Sequence, residues 1–145
     1  MWLRFRYLCL LAVLAGCHKS SPLVGTWAAT LTVGNLTGAD STTFSSDQTF
    51  QAVAEVKGSN GISLSVHDRG TWRMDGSKLT QHYDDVDWQF TGPNADRANA
   101  RFRESKAKLL DGLNTEPPSD VSFEGADTMT FTDSKSKKHE SRRTR

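Results

Sequence analysis

From Leu23 onward the chain repeats one pattern: apolar side chains at every second position, in short runs cut by turn residues. Leu23, Gly25, Trp27, Ala29, Leu31 and Val33 alternate with Val24, Thr26, Ala28, Thr30 and Thr32. That period predicts a strand over 23–33 with its bulkier apolar face on the odd positions. Phe44 and Phe50 flank Ser46-Asp47-Gln48, and Ala52, Ala54 and Val56 continue an even register to Lys57. Ser59-Asn60-Gly61 then offers a tight turn, because Asn and Gly tolerate positive φ, and Ile62, Leu64 and Val66 alternate beyond it. Asp75-Gly76 predicts a second hairpin joining 70–74 with 77–83, and Val86, Trp88 and Phe90 make one more alternating run. Val121 and Phe123, then Met129 and Phe131, resume the period late in the chain. The basic segment 138–145 is expected to be a final polar strand, since a closing strand would cover an open sheet edge.

The alternation breaks once. Ala95, Ala98, Phe102, Leu109 and Leu113 fall on one helical stripe, and Glu104 stands one turn before Lys108. Gly112 can end the helix in a left-handed cap, so the spacing predicts an amphipathic helix over 95–111. Pro117-Pro118 stops its continuation. With 145 residues there is room for one domain. Fifteen Ser and fifteen Thr suit strands with one face in water. The fold class expected is mainly β: an antiparallel barrel of about 8 to 10 strands with one amphipathic helix before the last strands.

The N-terminus carries an address. Arg4 and Arg6 precede a short apolar run over Tyr7–Ala15, too short for the ~20 residues that a membrane-spanning helix needs and suited to an export signal. The run ends in Leu14-Ala15-Gly16-Cys17, which resembles the lipobox of bacterial lipoprotein signals. The resemblance implies cleavage after residue 16 and acyl chains such as palmitate on Cys17, the partner being the membrane itself. More than one chain is needed for stable anchoring, because each buried methylene contributes only ~0.8 kcal/mol. His18 rather than aspartate after the cysteine resembles lipoproteins delivered to the outer membrane, so the expected location is the bacterial cell envelope, facing the periplasm. On this reading 1–16 is the signal, 17–22 a tether and 23–145 the domain. Cys9 leaves with the signal and Cys17 is modified, so the domain has no disulfide and no thiol nucleophile.

Leu23-Val24-Gly25-Thr26-Trp27 looks like the Gly-x-Trp opening of lipocalin-like barrels. The succession of that motif, Phe44-x-x-Asp47-x-x-Phe50, Gly70-Thr71-Trp72 and Asp75-Gly76 is similar to small lipocalin-like bacterial lipoproteins. The resemblance implies that Gly25 and Trp27 form a structural signature, with Trp27 closing the barrel base under an arginine from the C-terminal end. Arg142, Arg143 and Arg145 are the candidates, each able to set a cation on a π face.

Chemistry-bearing motifs are sparse. His82, Asp84, Asp85 and Asp87 are the only dense set of potential metal ligands, but alternate residues of a strand face opposite sides, so they cannot converge without a bulge. They are read as a solvated acidic turn, and no metal and no cofactor is expected. No Gly-x-Ser-x-Gly elbow accompanies the histidines and no phosphate-binding glycine loop is present, so no catalytic residue is assigned and an enzyme is not expected. Residues 17–133 hold ten basic against sixteen acidic side chains, which argues against a nucleic-acid partner. What remains is non-catalytic binding of a small apolar ligand, with Trp72, Met74, Trp88 and Phe90 on an interior face and no charge within 86–90 except Asp87, which faces away. The alternative is an interior filled solid by its own aromatics, making a structural or protein-interaction module of the envelope.

Overall fold

The computed structural model describes residues 21–144; Cys17, the signal and most of the tether lie outside them. The chain forms a closed antiparallel barrel in which eight strands follow one another in sequence order. These are β1 (Gly25–Val33), β2 (Leu36–Phe44), β3 (Thr49–Lys57), β4 (Ser63–Asp75), β5 (Lys78–Thr91), β6 (Ser119–Glu124), β7 (Thr128–Thr132) and β8 (Lys138–Arg143), with one helix, α1 (Ala95–Asn114), between β5 and β6. The expected fold class is therefore the one observed. The runs at 62–66 and 70–74 fuse into β4, and those at 77–83 and 86–90 fuse into β5. Gly70 does not break β4 because its missing Cβ makes room for the His82 carbonyl of the adjacent strand.

One irregularity sets the register of the wall. The β4–β5 pairing shifts between Arg69 and Gly70, where Arg69 faces Asp85 but Gly70 faces Tyr83, leaving Asp84 as the extra residue. Below this bulge Leu79 and Tyr83 turn inward at odd positions. Above it Val86, Trp88 and Phe90 turn inward at even ones.

Two apolar clusters fill the interior. At one end Leu23, Trp27, Phe44, Phe50 and Trp72 pack together with Leu79; Phe44 meets Trp72 edge-on at 5.9 Å, and Phe50 meets Tyr83 edge-on at 5.1 Å. At the other end Leu36, Val56, Leu64 and Val66 pack with the half-buried Trp88 and Phe90. Asp40 and Asp68 stand on the inward positions between these clusters.

The wall is complete only at the first end. β1 pairs β8 through Trp27 and Ala28, and β5 pairs β6 through Lys78 and Leu79. The rest of the β5 edge, from Thr80 to Thr91, faces α1 instead. Asn99 accepts a hydrogen bond from the Phe90 N–H at 2.8 Å and donates to its carbonyl at 2.9 Å. Asn114 does the same for Tyr83, at 2.7 and 3.0 Å. The spacing fits: fifteen helical residues rise ~22 Å, and the seven strand residues from Tyr83 to Phe90 span ~23 Å. Two side-chain amides thus stand in for a neighbouring strand. The helix runs past the expected end, through Gly112 to Asn114, and Thr115 rather than Gly112 provides the cap; the extra turn is what brings Asn114 to Tyr83.

Candidate functional site

Between α1 and the inward side chains at the open end of β5 lies a groove of about 710 Å³, within the usual range of small-molecule pockets. Its apolar lining comes from Trp88, Phe90, Phe102, Leu109 and Leu113, and its charged lining from Arg101, Lys108 and Glu116. The helical stripe expected from sequence is therefore only partly a packing surface. Phe102 is the one buried residue of α1, while Ala98, Leu109 and Leu113 remain half-buried because they face the groove.

The groove is anchored by a short chain of contacts. The Phe102 ring lies parallel to Trp88 at 5.7 Å between centroids with a 5° interplanar angle. The Trp88 indole N–H donates to Asp68 Oδ1 at 3.1 Å. Burial pushes the Asp68 carboxyl up to about 6; the indole bond opposes this, and the carboxylates of Asp40 and Asp85 add to it. Burial likewise raises Asp40. Tyr83 is pushed up to about 12 by burial and then by the charge of Asp68. On the outer face Lys106 bonds Asp85 at 2.7 Å and holds its carboxyl below the usual range, pinning the middle of the helix to the strand.

Of the four residues expected at a ligand site, the fold brings two together. Trp88 and Phe90 line the groove. Trp72 is buried in the closed end, where its indole N–H donates to the Ser45 carbonyl at 3.1 Å, and Met74 packs on the same cluster. Trp72 pairs with Gln81 and Trp88 with Val66, so six residues of β4, ~20 Å, separate the two tryptophans along the wall. Nothing can enter between their strands, which are paired from Ser63–Thr91 to Asp75–Lys78; access is from the helix side.

Trp27 and Gly25 sit at the closed end. Trp27 is 1% exposed, its indole N–H donates to the Leu23 carbonyl at 2.8 Å, and the Arg143 guanidinium lies 4.4 Å from its ring centroid. Arg143 also donates to the carbonyls of Val24, Pro22 and Ala126 at 2.7, 2.6 and 2.9 Å. Gly25 has φ +139°, and a Cβ there would run into that guanidinium. These contacts tie the first strand to the last.

The acidic segment does not converge. His82 and Asp84 approach to 3.9 Å on the exposed surface, and among the described residues no three His, Cys, Asp or Glu side chains form a potential metal site. Sequence reasoning missed Asn99, Asn114 and the two cations on the groove. The signal for Asn99 was present, since Asn is a poor helix former and its placement inside a helix calls for a partner, whereas Asn114 lies beyond the expected helix end. Charge at Arg101 and Lys108 could not be assigned to a groove before the helix was placed against β5. No family model matches the chain, and no curated protein matches it either.

Proposed function

We propose that this protein is a lipid-anchored, lipocalin-like barrel of the bacterial cell envelope that binds a small apolar molecule without catalysing its conversion. The observation that carries the binding role is the groove of about 710 Å³ with Trp88, Phe90, Phe102, Leu109 and Leu113 along it. A sequence with so few apolar residues leaves four of them, Trp88, Phe90, Leu109 and Leu113, only half-buried along a groove floored by the buried Phe102. The lipocalin-like reading is supported by the eight-strand closed barrel and by Trp27 under Arg143. The anchor rests on Leu14-Ala15-Gly16-Cys17; among the described residues no helix is long and apolar enough to cross a membrane.

Titration with apolar probes tests the binding role through tryptophan emission, because Trp88 lines the groove. Quenching that saturates, and that is lost in Trp88→Ala, supports it; unchanged emission across the probes rejects it in favour of an interaction module, the reading that the solid aromatic packing at the closed end supports. Fractionation tests the anchor: Cys17→Ser should release the protein from membranes without detergent, and retention rejects lipid anchoring.

A further inference from the structure

The floor of the groove is apolar, but its rim is not neutral. Arg101 and Lys108 both line it, and neither has an ion-pair partner among the described residues. The pairing of Glu104 with Lys108 that one-turn spacing offers is not made, whereas Lys106, on the neighbouring face, is bonded to Asp85. The two free cations are seven residues apart, two helical turns or ~10 Å along the axis. Ser105 lies between them on the same lining, so a head group above Ser105 is within reach of both long side chains. Arg97 adds a further positive charge beside Arg101, in a depression it shares with Asn94 and Ala98.

Charge balance sharpens the point. Residues 17–133 hold ten basic and sixteen acidic side chains, yet α1 alone holds five basic and three acidic ones. Within 17–133, basic character is concentrated on the element that forms the groove. Glu116 stands at the C-terminal end of the lining and disfavours an anion there, which leaves the Arg101–Lys108 segment as the place for one.

We infer that the occupant of the groove is a single-chain amphiphile with an anionic head, a long-chain carboxylate whose head is held by Arg101 and Lys108 and whose chain lies over Trp88, Phe90 and Phe102. The inference rests on the reading of the groove as a small-molecule site. A carboxylate bonded to guanidinium and ammonium groups gains charge-assisted hydrogen bonds, and the adjoining apolar surface strengthens the attraction by excluding water. A neutral chain forgoes this, and a cationic one is repelled.

The test compares palmitate, hexadecanol and hexadecyltrimethylammonium, each below its micellar concentration, against the full-length protein by tryptophan emission and calorimetry. Palmitate should bind at least tenfold more tightly than the alcohol, and the ammonium compound more weakly than either. Raising salt from about 0.05 to about 0.5 M should weaken palmitate and leave hexadecanol unchanged. The double variant R101Q/K108Q should bring palmitate down to the affinity that the alcohol shows in the same variant, with slow amide exchange over 95–114 reporting an intact groove. Equal affinities for palmitate and hexadecanol in the unmodified protein would overturn the anionic head and leave the apolar site standing. Binding of none of the three would overturn both.

Discussion

The guanidinium of Arg143 lies 4.4 Å from the ring centroid of Trp27, joining the first strand to the last across 116 residues of chain. Arg143 also occupies the carbonyls of Pro22, Val24 and Ala126, so one side chain closes the barrel seam where β1 and β8 share only two paired positions. Trp27→Ala should therefore cost ~3–5 kcal/mol, as large aromatic truncations in cores do. Chemical denaturation measures it, and a change under about 0.5 kcal/mol would contradict the packing.

Gly25 is bound to the same arrangement. Its φ of +139° is strained for any residue with a side chain, and a Cβ there would displace the Arg143 guanidinium. Gly25→Ala should be destabilising by more than the ~1 kcal/mol typical of point changes, and in an Arg143→Ala background the part due to obstruction should vanish while the backbone strain at positive φ remains. Additive losses in the double-mutant cycle would show that the two positions are independent.

Asn99 and Asn114 test whether the helix completes the wall. Each satisfies both backbone groups of one β5 residue. Replacement by Ala leaves an N–H and a C=O without those partners, at ~1–3 kcal/mol each where water cannot reach. N99A/N114A should raise amide exchange across 95–114 far more than in β3 or β4. Exchange in the helix as slow as in the unmodified protein would mean that Phe102 and Lys106 suffice to hold it.

The barrel was legible in the sequence because a period of two survives wherever one strand face is buried and the other wet; β1, β3 and β7 show this directly. Fusion of runs was not, since Gly70 and the bulge at Asp84 read as breaks in a one-dimensional pattern but are absorbed by neighbouring strands in the sheet. Trp88 and Phe90 could be identified as inward-facing by register alone. Register does not report height, however, so Trp72 and Met74 were joined to them although they belong to the opposite cluster. The charge on the groove was beyond reach, because it depends on how a helix distant in the chain rotates against a strand edge.

The inward carboxyl of Asp68 should make stability depend on pH in an unusual direction. Its pKa is raised from 3.8 to about 6, so between these values the folded protein holds a proton that the unfolded chain has lost. Stability should fall as pH rises through that window and level off above it. The carboxyl is partly open to water, so the screened effect is ~1 kcal/mol. Asp47, Asp85 and Asp133 are lowered instead and lose their contribution only as pH falls below the ordinary carboxylate range. Asp68→Asn keeps an acceptor for the Trp88 indole and should flatten most of the slope; an unchanged slope would assign it to Asp40.

Trp72 and Trp88 should respond oppositely to the same substitution. Trp72 is 6% exposed, hydrogen-bonded to Ser45 and packed on Phe44, so Trp72→Ala opens a cavity in the filled end and should cost ~3–5 kcal/mol. Ligand affinity, measured on whatever fraction stays folded, should be unchanged, because the side chain is walled off from the groove. Trp88 is half-buried, stacked on Phe102 and bonded only to Asp68. Trp88→Ala should cost less stability than Trp72→Ala, since that side chain is less completely buried, but remove a wall of the groove and weaken binding of an apolar probe at least tenfold. Denaturation and calorimetry on the two variants separate the roles. If Trp88→Ala unfolds the protein while Trp72→Ala abolishes binding, the assignment of a solid end and an open end is reversed.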